Sequence, residues 1–272
     1  MKKLNSHIFH IFMFGLAILW LYPYIWLVMA SIKPSNEIYT KFWPTHFTLD
    51  HFKFILESAE KMDRPFIRAF FNSLFVSVTV TVSVVLTSST ISYALSKLRF
   101  RGRNKIFDFL IFQMVFPGFM FTIPMYILIR NLGLLNTYSA LILPSLMSGW
   151  GIFMITQSYK GTPNDYIEAA KIDGATDLWI IFKIMIPLNK SVVAIVSLFT
   201  FIGIWDNFMW PLIVIKDYNK MPLSVLLASF NHQYGAYIGP VLAGSVIQTI
   251  PMVILFLIFR KYFLQGISIT LK

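Results

Sequence analysis

AFFNSLFVSVTVTVSVVLTSSTISYALS, residues 69–96, carries no charged side chain and lies between Arg68 and Lys97. A membrane-crossing helix needs about 20 mostly apolar residues, so the run is long enough to span. Its middle, Ser77 to Val84, alternates with period two, which in water is the mark of a strand. Only helices and closed barrels satisfy their backbone groups inside a bilayer. A single strand would have no barrel to join here, because the other long apolar runs lack this alternation. The run therefore reads as a helix, and its Ser and Thr residues suit close packing against neighbouring helices.

Five further runs extend this reading outward. They are Leu4–Ile32, Phe109–Ile129, Asn131–Tyr159, Ser191–Trp205 (continuing past Asp206 to about Ile215), and a last span near Val241–Phe259. The polar stretch Ser229–Gly235 before the last span is expected to be external loop or re-entrant structure. Six crossings result. The composition agrees: 57% of the 272 residues are apolar and 13% charged, against roughly 45–50% and about 25% in soluble domains. Intrinsic disorder is excluded by the same figures. Without cysteine there is no disulfide framework, thiolate metal site or catalytic thiol.

The net charge of +11 sorts by loop. The start, the 97–108 loop, the 160–190 loop and the end of the chain hold 14 basic and 5 acidic residues; the alternate loops hold 9 and 7. The positive-inside rule makes the first set cytoplasmic and puts both termini inside. The first run exceeds a signal-peptide h-region of about 7–15 residues and is expected to stay as an uncleaved helix. Nucleic-acid binding would need one basic face of a soluble domain, which these scattered charges do not make.

The 160–190 loop carries the most specific pattern. Thr162-Pro163-Asn164-Asp165 has a helix start: Thr as cap, Pro in the first position, an acid in the first turn. Gly174 offers a left-handed residue to end that helix. Thr176 and Asp177 then start a second one, with Leu178, Ile181, Phe182 and Met185 at helical spacing, and Pro187 marks re-entry to the membrane. Two short amphipathic helices joined by a Gly turn should lie on the cytoplasmic face.

Glu168-Ala169-Ala170-x3-Gly174-x9-Ile184-x-Ile186-Pro187 closely resembles the EAA motif of ABC importer permeases, which usually ends I-x-L-P, so that Ile186 is a conservative departure. Asn72-Ser73-Leu74, Ser92-Tyr93-Ala94-Leu95-Ser96-Lys97, Gly133-Leu134-Leu135-Asn136-Thr137 and Trp205-Asp206-Asn207-Phe208-Met209-Trp210-Pro211-Leu212 look like the carbohydrate-importing branch. They extend the likeness over about residues 72–263. Many relatives have Trp-Asn-Glu or Trp-Asn-Asp where this chain has Trp205-Asp206-Asn207. The nearest type is the shorter permease of the pair in maltose-like importers.

The resemblance implies an all-α integral membrane protein with six transmembrane helices, the type I ABC importer permease (MetI-like) fold. It would comprise a first helix and external loop (1–68), a permease core (69–263) with the coupling loop 160–190, and a cytoplasmic tail (264–272). It implies a bacterial inner-membrane subunit of an ATP-driven, binding-protein-dependent carbohydrate importer. The expected partners are a homologous second permease, two cytoplasmic ABC ATPases that bind the ATP and Mg, an extracytoplasmic solute-binding protein, lipid and sugar. This chain itself would hold no cofactor or metal and would not be an enzyme. Glu168, Ala169, Ala170, Asp173, Gly174 and Pro187 would form the ATPase-coupling surface.

Gln113, Phe116, Trp205, Asp206, Asn207 and Trp210 are candidates for the substrate path, since aromatic faces stack on sugar C–H surfaces and amides bind hydroxyls. Trp205 and Trp210 read equally as interfacial anchors. Asn231, His232, Gln233, Tyr234 and Gly235 fall where maltose-type relatives send a loop into the binding protein. His7 and His10 share a helix face without a third ligand. Pro117 and Pro124 are expected to kink the third span.

The chain has no G-x4-G-K-[ST] pattern, so ATP must be hydrolysed elsewhere. It also lacks the charged relays within spans and the internal repeats that an ion-coupled secondary transporter often uses. H-E-x-x-H, G-x-S-x-G and in-span acid pairs, marks of an intramembrane enzyme, are missing from the sequence as well. An amino-acid or peptide permease is the alternative within the leading class.

Overall fold

The structure is a computed structural model that describes residues 2–58, 64–233 and 238–269. The described residues are helical and contain no strand. In chain order the helices are α1 (Lys2–Ser31), α2 (Asp50–Lys53), α3 (Phe66–Lys97), α4 (Arg103–Met114), α5 (Thr122–Asn131), α6 (Tyr138–Ile142) and α7 (Gly149–Lys160). There follow α8 (Asp165–Ile172), α9 (Asp177–Ile180), α10 (Ile186–Leu188), α11 (Lys190–Trp205), α12 (Met209–Val214), α13 (Leu223–Gln233) and α14 (Ile238–Ile269). By length and composition four stretches can cross a membrane, or up to six if each of two sharply bent pairs counts as one span.

The chain divides into two compact units: residues 1–67 with 226–251, and residues 68–225 with 252–272. In the first, the segment after α1 is folded around Glu37. Its carboxylate accepts from Lys41 Nζ (2.9 Å), the Thr45 backbone N–H (2.8 Å) and the Thr45 hydroxyl. Those donors pull its pKa from 4.5 to about 2. The fully buried Lys33 donates from Nζ to the Lys41 carbonyl (2.6 Å), and Nε2 of buried His51 donates to the Lys33 carbonyl (2.9 Å).

In the second unit, α3 settles the strand-or-helix question. Val80 and Val84 are buried while Val78 and Val82 are exposed. A strand would put all four on one face; a repeat of four is a helix. The buried line continues through Ser88 and Ser92. It packs on α7, where Ser92 donates to the Ile152 carbonyl (2.9 Å) and Thr156 to the Ser92 hydroxyl (3.0 Å). Gly151 makes this approach possible, because a Cβ there would stand 2.9 Å from Ser88 Oγ.

Several boundaries differ from the sequence reading. The expected third span, 109–129, is two helical pieces at 95°, Arg103–Met114 and Gly118–Asn131. Pro117, with ψ near 127°, opens the second piece, and a proline also drives its predecessor away from helical geometry. Pro124 falls in the first turn of α5, where its missing N–H costs no bond. The fifth span stops at Trp205, and α12 is a separate short helix after the break at Asp206. Ser229–Gln233 is the end of α13 rather than a loop, and α14 starts at Ile238 and continues to Ile269, so the expected tail from 264 is helical to that point.

Candidate coupling surface and solute path

The 160–190 element forms as two helices joined by a tight turn. The first, α8, has its cap at Asn164, two residues after the expected Thr162. Its first bonded carbonyl is that of Asn164, which accepts from Ile167 N (2.8 Å) and Glu168 N (2.9 Å). Thr162 is a joint instead. Its carbonyl accepts from Lys97 Nζ (2.5 Å), and its hydroxyl accepts from Asn189 Nδ2 (3.1 Å).

The C-terminus of α8 matches expectation. Asp173 is the capping residue and Gly174 has φ +80°. Ala175 N bonds to the Ala170 carbonyl (2.9 Å) and Gly174 N to the Lys171 carbonyl (3.0 Å). This pair of bonds is a Schellman motif, which satisfies the last helix carbonyls and turns the chain sharply. Thr176 then caps α9 by accepting from Trp179 N (3.3 Å).

Between the two helices lies an open groove of about 700 Å³, lined by Tyr166, Ala169, Asp173, Gly174, Trp179 and Ile184 among others. Glu168 and Ala169 are exposed and Ala170 is buried. Ile172 is 87% exposed and Leu178 61%, so the element shows apolar side chains on its outer face. Pro187 opens α10, exposed, just before the chain turns by 89° into α11.

The expected path residues are spread over several environments. Trp205 is 1% exposed; Phe201 stacks on it at 5.6 Å and Phe70 meets it edge-on at 5.4 Å, so its ring is enclosed in this conformation. Trp210 donates from Nε1 to the Ala140 carbonyl (2.9 Å), and Asn207 accepts at its carbonyl from Ser224 (2.8 Å). Asn207 and Trp210 share one small cavity with Ser73 and Pro211; Asp206 is exposed. Gln113 and Phe116 are exposed at the 95° break, with Phe116 edge-on to Phe112 at 5.2 Å. Asn231, His232 and Gln233 are backbone of the last turn of α13, while Tyr234 and Gly235 lie outside the described residues.

Two sets of residues escaped the sequence reading. A crevice of about 310 Å³ is lined by Val80, Val84, Ser148, Trp150, Phe199 and Thr200, among others. Trp150 and Phe199 meet there edge-to-face at 5.6 Å. Nothing in the sequence pairs them, since they are 49 positions apart on different helices. The second set explains the short motifs. Asn72 amide Nδ2 donates to the Asn219 (3.0 Å) and Met221 (3.1 Å) carbonyls and its Oδ1 accepts from the Tyr138 hydroxyl (2.7 Å). Asn136 holds φ +61°, donates its N–H to Val214 O (2.8 Å), and accepts from Lys216 N (3.1 Å) and Asp217 N (3.0 Å). Asp217 is in turn bonded by Asn219 N (2.9 Å), which lowers its pKa.

Residues 88–269 match the model of the family described as binding-protein-dependent transport system inner membrane component. The chain is 34% identical to the arabinooligosaccharides transport system permease protein AraQ of Halalkalibacterium halodurans, over 93% of this chain and 91% of that one. It is 28% identical to the lactose transport system permease protein LacG of Rhizobium radiobacter, over 94% and 92%. A solved bacterial ABC transporter chain involved in the import of the acidic polysaccharide alginate superposes with a TM-score of 0.83, at 25% identity, covering 96% of this chain and 97% of that one.

Proposed function

Since the chain belongs to the family of binding-protein-dependent transport system inner membrane components, we propose that it is the shorter permease subunit of an ATP-driven oligosaccharide importer. It provides half of the solute path and does no covalent chemistry. A second permease, two cytoplasmic ATPases holding ATP and Mg, and an external solute-binding protein complete the machine. Both termini lie in the cytoplasm.

The observation that carries this reading is the coupling element: a Schellman-closed turn at Gly174 beneath an exposed apolar face and an open groove. A rigid corner transmits force, whereas a floppy connector absorbs it. Ala169 lets a partner approach closely, Glu168 offers a charge for a basic partner residue, and Asp173, Gly174 and Pro187 fix the corner and the re-entry.

The solute side is assigned to the crevice at Trp150 and Phe199, whose lining also includes Ser148 and Thr200. Rings stack on sugar C–H faces and hydroxyls bind sugar hydroxyls, the mixture that fixes a polar ligand in a mostly apolar pocket. Asp206, Asn207 and Trp210 form a further stretch of the path, and Trp205, Gln113 and Phe116 would reach it only in another conformation. Asn231 to Gly235 is assigned to the binding-protein contact.

Purification of the chain with its partners, followed by ATP hydrolysis with a panel of oligosaccharides delivered by the binding protein, tests the reading. Stimulation by at least one oligosaccharide is expected. Stimulation by amino acids or peptides alone would overturn it.

A further inference from the structure

The inner end of α3 is bonded to both helices of the coupling element. Tyr93 is 1% exposed, yet its hydroxyl donates to Asp177 Oδ1 at 2.9 Å, in the first turn of α9. The same carboxylate oxygen pairs with Lys171 of α8 at 3.3 Å, so one acid joins three helices. One turn further along α3, Lys97 donates from Nζ to the Thr162 carbonyl and to Asn164 Oδ1 (2.9 Å), at the start of α8.

Two attachments restrict motion more than one. A single bond leaves the coupling element free to swivel on α3; a second bond one helical turn away, on the other coupling helix, removes that rotation. The connection to α11 is different in kind. There the helix breaks at Asn189, which has φ −107° and ψ 24°, and the chain bends by 89°. Asn189 is itself held at that bend: its amide donates to the Thr162 hydroxyl (3.1 Å) and the Met185 carbonyl (2.8 Å) and its Oδ1 accepts from the Ser158 hydroxyl (2.6 Å). The bond from Tyr93 also resists loss, because a buried phenol deprived of its acceptor is left unsatisfied.

We propose that Tyr93, Asp177 and Lys97 latch the inner end of α3 to the coupling helices, so that α3 and the coupling element move as one body. The proposal rests on the coupling reading given above and adds the route by which motion reaches the solute. Val84 of α3 lines the Trp150–Phe199 crevice about two and a half turns from Tyr93, and Val80 lines it one turn further on. A displacement of the coupling element therefore shifts one wall of that crevice directly. Tyr93, Asp177 and Lys97 are positioning residues; none of them lines the crevice.

The chain has no native cysteine, so Thr90→Cys on α3 and Lys183→Cys on the coupling element give two unique, exposed sites for spin labels. The labelled chain is used in the full complex, isolated by a tag on this subunit, nucleotide-free and trapped with ATP and vanadate. With the latch intact, the distance between the labels is the same in both states. In the Tyr93→Phe, Lys97→Met variant it differs between states, and solute transported per ATP hydrolysed falls about tenfold, the scale expected on losing hydrogen bonds to charged groups. Asp177→Asn keeps an acceptor oxygen for Tyr93 and retains most of the coupling.

A label distance that changes between states with the latch intact would overturn the proposal. So would a double variant that assembles and transports normally per ATP. Absence of the ATPases from the unsubstituted complex would overturn the coupling reading itself, and the latch with it. A complex that contains them but shows the shifting distance removes the latch alone.

Discussion

Asn72 satisfies three partners with one amide, and they lie in segments far apart in sequence: the carbonyls of Asn219 and Met221 and the hydroxyl of Tyr138. Asn72→Ala leaves all three without that partner while changing little volume. Only the bond to Met221 is fully buried, and an unmet buried polar group costs about 1–3 kcal/mol, so thermal unfolding in detergent should begin several degrees lower, and the Tyr138→Phe, Asn72→Ala pair should lose less than the sum of the single variants. Glu37 is a second residue whose partners are local, from Lys41 and Thr45. Folded, its carboxyl binds a proton less readily than the ordinary 4.5, with a pKa of about 2. Its stabilising contribution is therefore complete above about pH 4.5 and is lost as the pH falls towards 2. Protection of the Thr45 amide against hydrogen exchange, corrected for intrinsic rates, should decline across that window. In Glu37→Gln the decline should vanish, with protection low throughout.

The coupling element is the part of the molecule whose local chemistry most fully determines its shape. Gly174 stands at φ +80°, where a β-branched side chain is strongly disfavoured, and no neighbouring atom comes within 4 Å of a Cβ added there. Gly174→Val thus costs backbone strain alone, about 1–2 kcal/mol, paid by opening the corner. Uptake should be lost and the ATPases should bind weakly, while membrane insertion stays normal; normal transport in that variant would remove the coupling role. This corner was legible in the sequence because its signals are local: a left-handed Gly, a Thr cap at Thr176 and a helical apolar repeat after it. The sequence pattern places the start of α8 two residues early because Thr162 is drawn into contacts with Lys97 and Asn189, 65 and 27 positions away. The 95° break at Val115–Pro117 was visible only as a proline, since a proline marks where a helix is interrupted but not the angle at which it resumes. The solute crevice was not legible at all. Trp205 stood out in the sequence for its motif, yet Phe70 and Phe201 enclose it, and the pair of half-buried Trp150 and exposed Phe199 is made by tertiary packing.

For the whole molecule, the net charge of +11 is expected to set orientation. The loops assigned to the cytoplasm hold 14 basic residues against 9 on the other side, and short-loop Lys and Arg set the direction of insertion. Single cysteines placed in the cysteine-free chain report this directly. Arg101→Cys and Asp173→Cys should react with an impermeant maleimide only after the membrane is opened, and Lys216→Cys should react in intact cells; the reverse pattern would invert the topology and put the coupling element on the wrong side for any ATPase. The bias is also narrow enough to test by subtraction. Replacing Arg99, Arg101, Arg103 and Lys105 by Gln leaves ten basic residues against nine, close to parity. If loop charge is what orients the chain, a fraction of that variant should insert inverted, seen as partial labelling of Asp173→Cys in intact cells. If the first helix with Lys2 and Lys3 fixes the orientation alone, Asp173→Cys should stay wholly protected, and the 97–108 charges would need another explanation.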